Sequence, residues 1–380
     1  MYTTPLVFLP RFSVGRGVYR FLPDYCRRLG SRFVVVGGNK GMQAGLPKLQ
    51  ASLNGSSPLT MLAALPYGGA CTQNAINRLA REIAPLHPDF LVGMGGGKAI
   101  DTAKGVANAL RIPLISLPTL VSNCAPITAL SVLYGEDGAF ERFAFYDAPP
   151  ELTLVDLDLA AAAPVKYLRA GMGDTLAKHL ESTFSAREDR LGETMDHMSS
   201  IGIALSSTCY DPILQFGRQA LNEAQSKTPG PALEICARSI ILSAGLVSLM
   251  ADDNYNCALA HAVCYGLQRF EHVERQFLHG DLVAYGALVQ LLVDRQEEKA
   301  RSLRSFLCSL GTPVSLRQMD IPLDRVSLED ALTEATTGPD MQHIPYPITK
   351  DMVFDAMARL ETLSSLCSPA EKNSAAIDIL

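Results

Sequence analysis

Six residues place the tightest limit on what this chain can fold into: Gly93-Met94-Gly95-Gly96-Gly97-Lys98 join an apolar run, Phe90 to Met94, to a helical pattern, Lys98 to Leu110. A strand ending in consecutive glycines lets the backbone pass close to a ligand, because no Cβ intervenes. The helix that follows aims unpaired amide N–H groups and the positive end of its dipole at the same spot, which suits a diphosphate. The stretch departs from the GxGxxG spacing, since Lys98 stands where the last glycine belongs. A turn that merely connects strand and helix is therefore the competing interpretation.

Around this turn the pattern alternates. Arg32 to Gly38 is a β-branched apolar run ending in glycine, the pattern of a strand buried on both faces. Leu59 to Ala64 and Pro113 to Leu117 read as further strands, and Thr72 to Ile83 as a helix. Such alternation implies a parallel sheet with helices on both faces. Ahead of it, Leu6 to Pro10 with Phe12 to Gly15 reads as a short β-hairpin, and Val18 to Leu29 as a helix. Beyond Pro164 the spacing turns helical from Tyr167 onward, with runs at Pro231 to Met250, Tyr255 to Leu267, Leu282 to Asp294 and Met352 to Leu363. The expected division is an α/β dinucleotide-binding domain over residues 1–163 and an all-helical domain over 164–380, with a frayed tail after Ser368.

Composition excludes several classes. A net charge of -6 and the lack of a basic patch argue against a nucleic-acid partner. The first residues lack a signal-peptide pattern, and no apolar stretch is expected to reach the roughly 20 residues of a membrane span, so a cytoplasmic protein is expected. Nine cysteines without CxxC pairs read as reduced thiols.

The segment after the Arg32 strand, Gly37-Gly38-Asn39-Lys40, is where the adenosine of a dinucleotide would lie. NAD-binding folds usually place a carboxylate there for the ribose hydroxyls. Its absence, with Lys40 available for a 2′-phosphate, favours NADP over NAD, although Lys40 is equally readable as a solvated charge.

Three motifs make the interpretation specific: Ser116-Leu117-Pro118-Thr119-Leu120-Val121-Ser122-Asn123-Cys124-Ala125-Pro126, the stretch Gly95 to Lys104, and Ala170 to Lys178. With Ala129 to Tyr134, Asp156 and His279 to Gly286, they resemble the metal-dependent (iron-type) alcohol dehydrogenase superfamily over nearly the whole chain. Within it the resemblance is to the glycerol dehydrogenase-like branch and, most nearly, to the hydroxycarboxylate dehydrogenase group, which shares Cys124 and Gly173 to Lys178. It implies a Rossmann-like parallel-sheet α/β domain followed by an all-α domain, as in the dehydroquinate synthase-like fold. Gly95, Gly96, Gly97 and Lys98 match the family's diphosphate site, with Asp101 beside them. Thr119 and Ser122 match further cofactor contacts, and Thr128, Leu130 and Tyr134 match positions near the nicotinamide. Asp174, His261 and His279 match the three protein ligands of the metal, through which catalysis runs.

One carboxylate and two neutral imidazoles suit a catalytic Zn²⁺ with an open coordination position, while Fe²⁺, Mn²⁺ and Ni²⁺ remain compatible. Without the resemblance, residues so far apart in sequence are weak grounds for a shared ion. Three departures bear on metal and substrate. Lys178 stands where iron-dependent members have a histidine, which favours three protein ligands and zinc. Cys264, three residues after His261, reads as a small buried side chain in preference to a thiolate ligand. Cys124 replaces the aspartate that glycerol dehydrogenases present to the diol, so a 2-hydroxy acid or 2-oxo acid is expected, with Lys178 as a candidate carboxylate partner. His343 is a weaker candidate, for proton relay.

The reaction implied is reversible hydride transfer between an alcohol carbon and the nicotinamide of NAD(P). The alternatives are glycerol dehydrogenase proper, glycerol-1-phosphate dehydrogenase, and a non-catalytic nucleotide-binding sensor. The expected partner is a small alcohol or ketone substrate, with neither nucleic acid nor membrane, in a homo-oligomer.

Overall fold

The computed structural model describes residues 9–53 and 57–363. The chain forms two compact units, Met1–Pro164 with Asn222–Leu249, and Val165–Leu221 with Met250–Leu380.

The first unit carries eight strands among the described residues: β1 (Arg11–Gly15), β2 (Arg32–Gly37), β3 (Thr60–Pro66), β4 (Phe90–Gly95), β5 (Leu114–Pro118), β6 (Leu130–Tyr134), β7 (Phe140–Phe145) and β8 (Leu152–Asp156). Six form a parallel sheet in the order β1-β8-β5-β4-β2-β3, and β6 with β7 forms a separate antiparallel hairpin. Successive residues of a strand face opposite ways, and here both faces are covered. Phe33 and Val35 of β2 join Phe90 and Val92 of β4 in one core with Met42 and Leu49. Val34, Val36 and Leu91 enter a second core with Ile76, Leu79, Ala103 and Val106. Two-sided burial is why β2 is continuously apolar with no polar alternation.

Four elements differ from the sequence reading. Phe12 to Gly15 lies in β1, which pairs parallel with β8 at the sheet edge instead of closing a hairpin; Leu6 to Phe8 lie outside the described residues, as does the tail after Ser368. Asp156, at the end of β8, accepts the Gly17 N–H at 3.0 Å and so fixes where β1 ends. Val18 to Leu29 is not one helix but a 3₁₀ turn, Val18–Phe21, followed by a short helix, Leu22–Cys26, in whose first turn Pro23 is tolerated. Residues Asn39–Leu53, to which the sequence reading assigned no helix, form one that contains Gly41, Gly45 and Pro47. Those residues depress helix propensity, and packing on the sheet overrides them.

The fourth difference is Pro231–Met250, assigned by the sequence to the helical domain. Its residues as far as Leu249 belong to the first unit. This run of 20 residues, with a π turn at Arg238–Ser243, is also long and apolar enough to match a membrane span by length and composition, contrary to the sequence expectation. Half of it is buried inside the protein, with Leu233, Cys236, Ile240, Ile241 and Val247 fully so. Among the described cysteines Cys26, Cys71, Cys236, Cys257 and Cys264 are free thiols, whereas Cys308 is disulfide-bonded, contrary to the expectation of reduced thiols throughout.

The second unit is helical. Three of its helices matter most: Val165–Ser185, Leu259–Gln268 and His279–Val293. From Gly280 to Leu291 every residue of the last is buried, and a helix apolar all round belongs at the centre of a core. It packs against the Val165–Ser185 helix through two glycines. A Cβ at Gly173 would overlap the Gly280 carbonyl oxygen, and one at Gly280 would overlap the Ala170 carbonyl oxygen. Only glycine permits that approach, and Asp174 follows Gly173 while His279 precedes Gly280.

Candidate metal and cofactor sites

The glycine turn lies at the carboxyl end of β4. Gly95 has φ 143°, a conformation that L side chains rarely adopt. The Gly38 N–H donates to the Met94 carbonyl at 3.1 Å, and the Thr119 N–H donates to the Gly95 carbonyl at 3.0 Å, so the ends of β2, β4 and β5 are tied together. A Cβ on Gly41, in the first turn of the Asn39–Leu53 helix, would stand 2.9 Å from the Gly95 Cα. From the adjacent strands β2 and β4 the sheet continues to β3 on one side and to β5 on the other. Such a reversal of strand order opens a ligand crevice at the strands' carboxyl ends. The Gly97–Leu110 helix starts there with no side chain capping it, leaving its first amides able to receive an anion.

The candidate cofactor residues divide by direction. Gly95, Gly96, Gly97 and Lys98 form the turn, with the Lys98 ammonium 4.4 Å from the ring centre of Tyr134. Thr119 and the half-buried Ser122 follow β5 directly. Asp101 points inward instead: its carboxylate pairs with Lys104 at 2.7 Å and accepts the Val132 N–H at 3.1 Å. Burial raises its pKa and Lys104 opposes that rise. Lys104 donates to the carbonyls of Ala125 (3.0 Å) and Leu130 and to the buried Thr128 hydroxyl (3.4 Å). Asp101, Lys104 and Thr128 therefore bind the loop helix to the β6–β7 hairpin, a task the sequence reading missed. The i,i+3 spacing of Asp101 and Lys104 was the available signal. Lys40 is exposed in the first turn of its helix, and Cys124 is half-buried with its sulfur 4.0 Å from the Ser248 hydroxyl.

The second unit brings Asp174, His261 and His279 together from three helices, with one ligand atom of each within 4.8 Å of the others. Asp174 Oδ1 lies 3.5 Å from His261 Nε2 and 4.0 Å from His279 Nε2. Ligand atoms about 2.0–2.1 Å from a tetrahedral ion are about 3.3 Å apart, so this donor set fits a divalent metal after small closure. His261 is buried, Asp174 partly so, and His279 is 43% exposed in its side chain, which leaves one flank accessible. Burial raises the Asp174 pKa, but the two histidines outweigh it and hold the carboxyl below its usual range. Partial desolvation of its ring, with His261 and Lys178 nearby, lowers the His279 pKa, which suits a neutral imidazole ligand. Burial also acts to lower His261, yet Cys257, Glu181 and Asp174 carry it well above its ordinary value.

Two buried carboxylates hold this arrangement. Glu181 accepts from His261 Nδ1 at 2.6 Å and from the backbone N–H groups of Ala258 and His261 at 2.8 and 2.9 Å. Asp281, two residues after His279, takes a bidentate pair from Arg169, both contacts at 2.9 Å. Neither was singled out from sequence, although Glu181 lies seven residues, two helical turns, beyond Asp174 and so on its face.

The full-length comparisons agree with this architecture. The chain is similar to the glycerol dehydrogenase of Thermotoga maritima, 33% identical over 361 residues that cover 93% of this chain and 96% of the relative. The chain belongs to the iron-containing alcohol dehydrogenase family. That family's profile matches residues 10–157. Hydroxycarboxylate dehydrogenase A of Escherichia coli strain K12 is 29% identical over 337 residues, 88% of this chain and 91% of the relative. In three dimensions the chain is similar to a probable glycerol dehydrogenase from Sinorhizobium meliloti 1021, with a TM-score of 0.82, 28% identity, and coverage of 95% and 99%. As a family member the chain is an alcohol oxidoreductase with a Rossmann-like parallel-sheet unit and a helical unit.

Within this family frame the departing residues find their places. The buried Cys264 thiol lies 3.4 Å from His279 Nδ1, the nitrogen not directed at Asp174, and burial pushes its pKa far up, so it packs behind the histidine as a thiol. The Lys178 ammonium donates to the Asn256 carbonyl at 2.7 Å and to its side-chain oxygen at 3.4 Å, fastening the segment ahead of His261. His343 pairs with Asp189 at 2.6 Å and stacks edge-on against Tyr255.

Proposed function

We propose that this protein catalyses reversible hydride transfer between the alcohol carbon of a small hydroxylated substrate, with 2-hydroxy acids preferred, and NADP(H). One divalent ion, zinc by preference, would be held by Asp174, His261 and His279. The observation that carries this reading is the convergence of one carboxylate and two imidazoles within 4.8 Å. A metal bound there would serve as a Lewis acid for the substrate oxygen. The protein's own part is positional. The turn from Gly95 to Lys98 offers backbone and helix amides to a diphosphate, and the half-exposed His279 leaves an approach for substrate.

Zinc is favoured because one oxygen and two nitrogen donors leave a fourth position open, and because Lys178, occupied at Asn256, supplies no further ligand. The absence of a carboxylate in Gly37-Gly38-Asn39, with Lys40 next, supports NADP. Cys124 in place of an acid removes a repulsion against anionic substrates. A second reading, glycerol or dihydroxyacetone as substrate, draws on the likeness to the Thermotoga glycerol dehydrogenase.

The test is metal analysis of purified protein, then oxidation of NADPH and NADH against 2-oxo acids, hydroxyketones and aldehydes. One ion per chain with metal-dependent 2-oxo acid reduction is the expected result. Turnover of dihydroxyacetone alone would select the second reading, and nucleotide binding without metal or turnover would make the protein a sensor.

A further inference from the structure

We infer that Glu181 is a positioning residue that fixes the tautomer of His261, and thereby decides whether Nε2 can bind an ion; this rests on the metal reading above. Glu181 is fully buried and its two oxygens have separate tasks. Oε1 accepts the N–H groups of Ala258 and His261, at the start of a helix that has no side-chain cap of its own. Oε2 lies 2.6 Å from His261 Nδ1. A carboxylate only accepts, so Nδ1 must carry the hydrogen of that contact. With Nδ1 holding that hydrogen, Nε2, the nitrogen 3.5 Å from Asp174, is the one left to give up its proton and offer a lone pair to an ion. One side chain thus caps the helix and aims the ligand atom. Glu181 and Asp174 share a helix, so the rigid body that supplies one ligand also orients another.

Glutamine at this position separates the two tasks. Its amide oxygen can keep both backbone N–H bonds, but its amide nitrogen then donates toward Nδ1. The imidazole proton is driven to Nε2, where it blocks the metal. Aspartate is the opposite case, because it keeps the accepting chemistry and sacrifices reach and packing.

The experiment measures Zn²⁺ affinity of metal-free wild type, Glu181→Gln and Glu181→Asp by competition with a chromogenic chelator, alongside the melting temperature of each metal-free protein and its NADPH affinity. Expected is a loss of about 10–100-fold in zinc affinity for Glu181→Gln, exceeding the loss for Glu181→Asp, with melting temperature and NADPH affinity held. A purely structural Glu181 would give the reverse order, since glutamine fits the cavity better; that order, or wild-type zinc affinity in Glu181→Gln, overturns the inference. Should Glu181→Gln fail to fold, two-bond ¹H–¹⁵N couplings in zinc-loaded, ¹⁵N-histidine-labelled wild type decide: a proton on His261 Nδ1 supports the inference, and one on Nε2 defeats it. Zinc uptake by wild type is read first, against Asp174→Ala. If the two do not differ, the metal reading itself fails, and the inference falls with it.

Discussion

The glycine turn and the Asp174-His261-His279 cluster are built in opposite ways. The turn is contiguous, made of backbone, and works because atoms are missing: Gly95 has no Cβ at φ 143°. The cluster is scattered along the chain, made of side chains, and works because atoms are present, at 3.5 and 4.0 Å from one carboxylate oxygen. A site of the first kind is damaged by adding a methyl group, one of the second kind by removing a ligand. The two should therefore fail independently, one losing nucleotide and the other metal.

The strongest attempt to break this contrast is Asp174→Ala. Losing a Lewis-acid contribution of several kcal/mol predicts a fall in turnover of about 10³-fold or more, with bound metal lost in elemental analysis. NADPH affinity by fluorescence titration should hold; a parallel loss would show that the sites are not separable. Next is Gly280→Ala, which adds a methyl group in the second unit, against the Ala170 carbonyl. Overpacking predicts a loss of about 1–3 kcal/mol, seen as a lower melting temperature, and weaker zinc binding because Asp174 and His279 are pushed apart. An unchanged Gly280→Ala protein would mean that the helices need not approach so closely. In the first unit, Gly95→Ala forces an unfavourable conformation worth about 1–3 kcal/mol. Weakened NADPH binding with zinc content retained is the expected pair of readings.

The smallest effect sharpens the contrast at the other end of β4. Asp89 accepts the N–H groups of Ser31 and Arg32 at 2.7 and 2.8 Å, and those bonds hold its pKa below the usual 3.8. A lowered folded value contributes stability that is fully present above 3.8 and is lost as pH falls through the folded value. Asp89→Asn should thus cost under about 1 kcal/mol at neutral pH, the contact being solvent-exposed. Urea melts at neutral and strongly acidic pH should show the difference closing in acid, with NADPH affinity unaffected throughout.

Legibility in the sequence follows the same division. Phe90 to Leu110 could be read directly, because a buried strand, a glycine turn and a helix each leave a short-range pattern. β2, β4, β5 and the Gln73–Ile83 helix were legible for that reason. The three cluster residues were identified through resemblance to a family; their spacing alone carried almost no weight.

Residues Phe33 to Gly37 and Phe90 to Gly97 by themselves determined that a parallel sheet would end in a turn open to an anion, since burial on both faces and freedom from Cβ are properties of consecutive residues. Tertiary structure decided the rest. It turned Asn39–Leu53 into a helix despite two glycines and a proline, carried Asn222–Leu249 into the first unit, and directed Asp101 at the Val132 N–H. It also seated Glu181 on His261 and let Gly173 meet Gly280 beside two candidate ligands. Each of these depends on partners far away in the chain, and neither propensity nor periodicity encodes which distant surface a residue will meet.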